Sequence, residues 1–418
     1  MRFAPDHPEF MNRRQILYLV HRLPYPPDKG DRIRAYHLVR HLTQHADVHL
    51  ASLADEPVDP AALTALHRVC KRVAVHRLSS PGRMLRIAAS LAAGATATEG
   101  AFACPGLRRT LRQWSHDTCF DAALASASSM VPYLRLPELC DVPSVVDLVD
   151  VDSEKWLEYS QGQRGPRSWL YRLENRRLRK LEQGLTSWTR AVTLVSDAEA
   201  DIYRGFCDPG TVSAVPNGVD LDYFQPRPVA NESGCVFVGA FDYHPNIDGA
   251  CWFAREVWPQ IVRARPAATL SLVGRRPVSA VRELAAVPGV KVAGQVPDVR
   301  PYLSQAAMAL VPLRIARGVQ NKVLEALAMG KAVIASPPAV EGIHVEPGQH
   351  LLTAATPSEW AAAVVRLLDD ATLRASLGEA GRRYVEENHR WEHCLEPLGR
   401  FLGVTNGCVR NRDCSLVP

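Results

Sequence analysis

No apolar run in this 418-residue chain approaches the roughly 20 residues that a membrane-spanning helix requires. The run Ile16–Val20 is long enough only for a strand. The opening MRFAPDHPEF lacks the apolar stretch of a signal peptide. Ten cysteines scattered from Cys70 to Cys414 show neither CxxC nor zinc-ligand spacing, which leaves the reduced thiols of a cytosolic protein as the expectation. No G-x-G-x-x-G follows Ile16–Val20 or Cys235–Gly239, so a nicotinamide-dependent dehydrogenase is a weak reading. The net charge of +5 is too diffuse to argue for nucleic acid. What is present, 47% hydrophobic and 22% charged residues, is the balance of a soluble globular protein, and the length favours two domains.

The most informative stretch is LVPLRIARGVQNKVLEALAMGKAVIAS, Leu310 to Ser336. Ala307–Val311 reads as a strand stopped by Pro312, and Gln320–Met329 as a helix with Val323, Leu324, Leu327 and Ala328 on its apolar face. Gly330 stands at a left-handed C-cap, and Ala332–Ala335 is a second buried strand. A strand–helix–strand unit of this length is a βαβ crossover, whose first loop lies at the carboxyl edge of a parallel sheet, where such sheets bind ligands. The helix opens there with unpaired N–H groups that suit an anion. Asn321, Lys322 and Glu325 fall in its first two turns, on one side. Read alone, Lys322 and Glu325 could be no more than an exposed ion pair.

RGVQNKVLEALAMGKAVIAS resembles the donor-site segment of GT-B glycosyltransferases of family 4, whose pattern is Glu, seven residues, Glu. Glu325 matches the second acid, while Arg317 stands where the first would fall. The Arg-Gly is most similar to the sugar transferases associated with exosortase (PEP-CTERM) exopolysaccharide systems. The resemblance covers nearly all of residues 14–400. It implies an α/β protein of GT-B type, two Rossmann-like doubly wound domains facing a cleft, with a nucleotide-sugar donor on the second. It further implies transfer with retention of anomeric configuration, a glycan or lipid-linked acceptor, no cofactor and no required metal. A non-catalytic nucleotide-sugar or glycan-binding protein of the same fold is the alternative, kept open by the missing acid.

In the first half, Ile16–Val20 is followed by a proline-rich loop and, from Gly30, a helix. The resemblance places Gly30 and Arg32, with Lys29, beside the donor phosphates. Asp47–Ala51, Arg72–Val75, Ala122–Ala125 and Ser144–Val149 read as further strands alternating with helices, the signature of a doubly wound sheet. Ala88–Ala103 has little pattern and is expected to be a mobile loop facing an acceptor. In SVVDLVDVDSEKW, Asp147, Asp150 and Asp152 cluster at a strand's carboxyl end. Asp152 is expected to cap the next helix and Asp150 to contact the acceptor hydroxyl as a catalytic residue. The Asp150-Val151-Asp152 triplet is not assigned a metal. Arg164–Trp188 reads as a long basic helix with Leu170, Leu173, Leu181, Leu185 and Trp188 in one stripe. Arg172, Arg176, Arg179 and Lys180 lie on another side, suited to solvent or to an anionic membrane surface.

In the second half, Pro216-Asn217-Gly218 opens a stretch resembling the family's entrance signature. The family's Arg and Lys that grip the diphosphate are absent after Cys235–Gly239, where His244 and Asn246 stand instead. Arg275, after the strand Leu270–Val273, and Gln295 and Val296, after Val290–Ala293, are expected along the same edge, with Gly318, Asn321, Lys322 and Glu325. Arg317 and Glu325 are the catalytic candidates of this half, beside Asp150 of the first. The expected organisation is a disordered or misassigned start over 1–13, with Met11 as candidate initiator, then a first domain over 14–205 and a linker over 206–233. The donor domain follows over 234–388, a helix crossing back over 389–402, and a disordered tail over 403–418. The expected location is the cytoplasm, either free or peripheral on the inner face of the plasma membrane.

Overall fold

The computed structural model describes residues 13–28, 30–78, 82–161 and 164–405. Lys29, the start expected over 1–13 save its last residue, and the tail beyond Thr405 lie outside the described residues. The chain divides into two units. One comprises the residues up to Thr193 with Tyr203–Ser213 and the chain from Leu395; the other comprises Leu194–Ile202 and Ala214–Cys394.

The first unit is built on β1 (Gln15–Val20), β2 (Asp47–Ala54), β3 (Arg72–Arg77), β4 (Ala122–Ser126), β5 (Ser144–Val149), β6 (Ala191–Leu194) and β7 (Val212–Ala214). Their order is β3-β2-β1-β4-β5-β6-β7. β1 pairs in parallel with β2 and β4, β2 with β3, and β4 with β5. Ile16 to Val20 and Ala122 to Ala125 are buried without a break, as strands covered on both faces must be. β7 lies within the stretch expected to be linker, so residues 206–233 are not one extended connection.

Two side chains read as functional or solvated in the sequence, Asp147 and Arg179, are structural here, and Asp152, expected to cap a helix, is engaged by Ser128. Asp147 does not stand with the other two acids. It is fully buried and accepts from Arg34 Nε at 2.8 Å, Arg34 Nη2 at 2.7 Å and Thr193 Oγ1 at 2.8 Å, which ties β5 to the Gly30–His45 helix and to β6. Asp152 is the first residue of the Asp152–Gln161 helix and accepts from Ser128 Oγ at 2.5 Å. The carboxylate of Glu182 takes the Ser153 N–H instead, at 3.1 Å. Arg179 pairs with Glu154 and stacks over the Phe206 ring at 3.8 Å, so it leaves the cationic side of its helix.

That helix, Pro166–Gln183, buries Glu174, Leu178, Leu181 and Glu182 rather than an all-leucine stripe; Leu170 and Leu173 are half-buried and Trp188 is exposed. Glu174 accepts from the N–H groups of Ala97 and Thr98 at 2.6 and 2.8 Å. The segment expected to be a mobile loop is therefore ordered as two helices, Arg83–Ala92 and Ala97–Phe102. Thr96 caps the second through the Glu99 N–H, and Gly100 meets the first so closely that a Cβ there would lie 2.6 Å from the Arg86 carbonyl oxygen. Among the described residues no helix is long and apolar enough to cross a membrane.

The second unit carries β8 (Cys235–Val238), β9 (Leu270–Val273), β10 (Val290–Gly294), β11 (Met308–Val311), β12 (Ala332–Ala335) and β13 (Leu352–Thr353). Their order is β10-β9-β8-β11-β12-β13, parallel throughout. The chain runs outward from β8 to β10 and then returns to the other side of β8 at β11. β8 and β11 therefore flank the topological switch point, where an open parallel sheet leaves a crevice at its carboxyl edge. Glycines stand where three neighbouring strands end. A Cβ on Gly274 would lie 1.7 Å from the Gly239 carbonyl oxygen, and Gly274 N–H donates to Gly294 at 2.8 Å. The loops leaving β8, β9 and β10 thus run backbone against backbone along that edge.

The Arg34–Asp147 pair gives a direct test of the first unit. Removing one partner of a buried pair strands the other charge and costs about 3–5 kcal/mol. Arg34→Met is expected to lower the denaturation midpoint accordingly, while a loss under about 1 kcal/mol would mean that Asp147 is satisfied without it.

Candidate functional site

The Asn321–Ala328 helix follows β11, and its position is set by the burial of Val323, Leu324, Leu327 and Ala328. Gln320 is its N-cap and makes no side-chain cap bond; its carbonyl takes the Val323 N–H at 2.9 Å, which leaves the N–H groups of Asn321 and Lys322 for an anion. The C-terminus is closed by Gly330 at φ 67°, the left-handed position that the sequence assigns to it.

Lys322 does not form a surface ion pair with Glu325. Its Nζ donates to Asn246 Oδ1 at 2.7 Å, and Asn246 Nδ2 donates to the Ala240 carbonyl at 2.8 Å. Asn246 is buried and spends both ends of its amide in this way, so it holds Lys322 rather than presenting an open amide. Gly239 makes room, since a Cβ there would sit 3.0 Å from Asn246 Nδ2. One hydrogen bond therefore joins the first turn of the His244–Trp252 helix, after β8, to the helix after β11, across the switch point.

The electrostatics of the pair follow from burial. It lowers the Lys322 ammonium to about 8, against the Coulombic pull of Glu325. It raises the Glu325 carboxyl to about 7, against the pull of Lys322. The Glu325 carboxylate accepts no hydrogen bond among the described residues. A cation and a carboxylate that both titrate near neutrality, one helical turn apart at a sheet's carboxyl edge, form a site suited to phosphate and hydroxyl groups together.

The remaining expected residues of this unit gather along the same edge. Gly318, at φ 60°, lies in the loop before the helix, where Gly342 packs so tightly that a Cβ would fall 2.5 Å from the Gly318 carbonyl oxygen. Arg317, just before it, donates from Nε to Glu199 at 3.2 Å, and Glu199 is almost wholly buried. Asn321 accepts from Asn217 Nδ2 at 2.9 Å. His244 opens the His244–Trp252 helix and is exposed. Arg275 follows β9, with its carbonyl taken by the Phe241 N–H at 3.0 Å. Gln295 and Val296 follow β10. Sequence reasoning missed Glu199, for which no motif gives a signal, and it read the Pro216-Asn217-Gly218 turn without a partner for Asn217.

The candidates of the first unit stand at the carboxyl edge of its own sheet, where the charged ones already have partners of opposite sign. Gly30 begins the Gly30–His45 helix. Arg32, expected to face phosphates, is 11% exposed and bonds to Asp28 at 3.1 Å and Glu56 at 3.0 Å. Asp150, expected to be open to an acceptor, lies 3.0 Å from Lys155, which also reaches Asp152 at 3.4 Å. Burial opposes the Lys155 charge, but the Coulombic pull of both acids outweighs it and holds the ammonium above its usual range.

Two doubly wound sheets with this strand order define the GT-B fold, and solved structures agree. Sucrose-phosphate synthase from Thermosynechococcus elongatus superposes with a TM-score of 0.68 at 19% identity, covering 93% of this chain and 98% of that one. The Anabaena protein HepE, solved with UDP, gives a TM-score of 0.65 at 16% identity, covering 93% and 99%. In sequence, residues 232–370 match the family described as Glycosyl transferases group 1. The GDP-mannose-dependent monoacylated alpha-(1-6)-phosphatidylinositol monomannoside mannosyltransferase of Corynebacterium glutamicum is 30% identical over 215 residues. That alignment takes in 46% of this chain and spans 56% of the relative's length.

Proposed function

We propose that the protein is a glycosyltransferase that moves a sugar from a nucleotide-sugar donor to a glycan or lipid-linked acceptor. The observation that carries this reading is the Lys322–Asn246 bond at the switch point, beside the uncapped opening of the Asn321–Ala328 helix. The match of residues 232–370 to a glycosyltransferase family supports it, because that span contains every group of the arrangement. The diphosphate takes the helix opening and the Lys322 ammonium, and the Glu325 carboxylate accepts hydroxyls of the donor. As the nucleotide leaves, its charge is stabilised by dipole and cation already in place, and no metal is assigned a part. Retention of configuration, a role in exopolysaccharide synthesis and a place in the cytoplasm belong to this proposal, on the resemblance of the Arg317–Ser336 segment. Arg317, neutralised by Glu199, is assigned to shaping the donor pocket. The alternative, binding without catalysis, separates cleanly: release of UDP or GDP from sugar nucleotides occurs only if the protein turns over.

The donor site fixes the sign of a pH profile. Lys322 binds phosphate only when protonated, so affinity falls as pH rises through about 8. Glu325 accepts hydroxyls only when ionised, so affinity falls as pH drops through about 7. Affinity for the sugar nucleotide that proves to be the donor should therefore peak between these values. Glu325→Gln should weaken binding and flatten the acid limb, and Lys322→Met should remove the alkaline limb. A parent profile that is flat from about pH 6 to 9, or a Glu325→Gln protein with parental affinity, would remove these residues from the site.

We also assign an anionic membrane surface as the place of work. Arg172, Arg176 and Lys180 are exposed, as is Trp169 at 67%. Beside them, the Arg83–Ala92 helix buries none of its residues and leaves Met84 and Leu85 75% and 77% exposed. Arg177 joins the two helices by donating to the carbonyls of Leu91 and Ala95 at 2.9 and 2.6 Å. Each cation near such a surface contributes about 1 kcal/mol. Reversing Arg172, Arg176 and Lys180 to Glu should abolish sedimentation with anionic phospholipid vesicles at low salt and leave nucleotide binding unchanged. A parent protein that stays in the supernatant would contradict the assignment.

A further inference from the structure

The PNGVD stretch at Pro216–Asp220 is bound along its length to the turn at His389–Trp391. Val219 N–H donates to the His389 carbonyl at 2.8 Å, and Val219 forms a parallel bridge with Arg390. Gly218 lies so close that a Cβ would meet the Trp391 backbone nitrogen at 2.7 Å. Asn217 and His389 are both buried. His389 Nδ1 lies 2.8 Å from the Asn217 carbonyl and so carries the proton, while Nε2 accepts from the Tyr384 hydroxyl at 3.2 Å. The main chain at Asn217 is thereby held in place, and the Asn217 side chain donates from Nδ2 to Asn321 Oδ1 at 2.9 Å.

The consequence falls on Asn321, the first residue of the Asn321–Ala328 helix. A side-chain amide has one acceptor and one donor end, and turning it over reverses the charge that it shows to a ligand. With Oδ1 turned to Asn217, the Asn321 amide turns its N–H groups the other way. The opening of the helix then turns donors toward a ligand: the N–H groups of Asn321 and Lys322, the Asn321 amide and the Lys322 ammonium. An oxygen turned outward there would oppose the helix dipole and repel an anion.

We propose that Asn217 is a positioning residue that sets the polarity of the Asn321 amide for a nucleoside diphosphate, without touching the ligand itself. This deepens the donor-site reading and rests on it. His389, held by Tyr384, fixes the main chain at Asn217 through its carbonyl, and the glycine at 218 lets the chain lie close against Trp391. The two asparagines work as one unit, although the chain separates them by 104 residues.

The test is a double-mutant cycle read by calorimetric binding of UDP and GDP. Asn217→Asp keeps the shape but can only accept, so Asn321 must turn its N–H groups to residue 217 and its oxygen to the phosphates. Affinity for the diphosphate that binds should fall by tenfold or more. A carboxylate at 217 also repels phosphate directly, and repeating the substitution in an Asn321→Ala background isolates that part. The proposal expects a loss at least fivefold smaller there. Asn217→Ser repeats the cycle without added charge, and serves also if the aspartate variant does not fold. Equal losses in both backgrounds would overturn the positioning role while leaving the donor site standing. A parent protein that binds neither diphosphate would overturn both.

Discussion

The bond from Lys322 Nζ to Asn246 Oδ1 is the constraint on which the second unit's edge depends. A half-buried ammonium needs a partner, because loss of hydration otherwise drives it to release its proton. A carboxylate at that distance would hold the proton firmly but would compete with any phosphate for the cation. A neutral amide instead orients the ammonium without cancelling its charge. Asn246 can do this because its other end is fixed on Ala240 and because Gly239 leaves it room. The glycines at the ends of the strands thus act on the chemistry through packing, and Lys322 keeps its charge for a ligand.

The two sheets treat charge at their carboxyl edges in opposite ways. In the first unit nearly every charged group there has a partner of opposite sign: Arg32 with Asp28 and Glu56, Lys155 with Asp150 and Asp152, Arg22 with Asp31 and Asp55. With three cations against six carboxylates, these groups are net negative and offer phosphate no free cation. In the second unit Lys322 bonds to an amide and Glu325 takes no hydrogen bond from described residues, so charge remains to be matched from outside. Arg317, Arg314 and Arg276 are already matched there, by Glu199, Asp248 and Asp242. The edge with unmatched charge is the one that residues 232–370 share with a glycosyltransferase family.

Much of this was legible in the chain because parallel strands leave continuous apolar runs, and these mark Ile16–Val20, Ala122–Ala125 and Ala332–Ala335 directly. Lys322 and Glu325 could be placed because the helical period of Val323, Leu324 and Leu327 leaves them one possible side. What escaped was set by partners remote in sequence. Asp147 looked like its neighbours Asp150 and Asp152 until Arg34, 113 residues away, claimed it. Arg179 looked like part of a solvated row until Glu154 and Phe206 took it. Ala88–Ala103 read as a loop because alanine-rich helices show little period, and the ends of these two are fixed by Glu174 and Arg177 of a helix 80 or so residues on. Asn217 sat in a recognisable turn, yet nothing local identifies Asn321 as its partner.

The place where a nucleoside diphosphate binds decides whether Lys322 and its helix form the phosphate site. Amide hydrogen exchange with and without UDP or GDP reads this without assuming a donor sugar or an acceptor. The expected result is slowed exchange at 318–323, where the helix opens, and at 239–246, through the Asn246 link, with the rest of the second unit little changed. Protection confined to the first unit, or none at ligand concentrations that saturate binding, would contradict the assignment of the phosphate site to Lys322 and its helix.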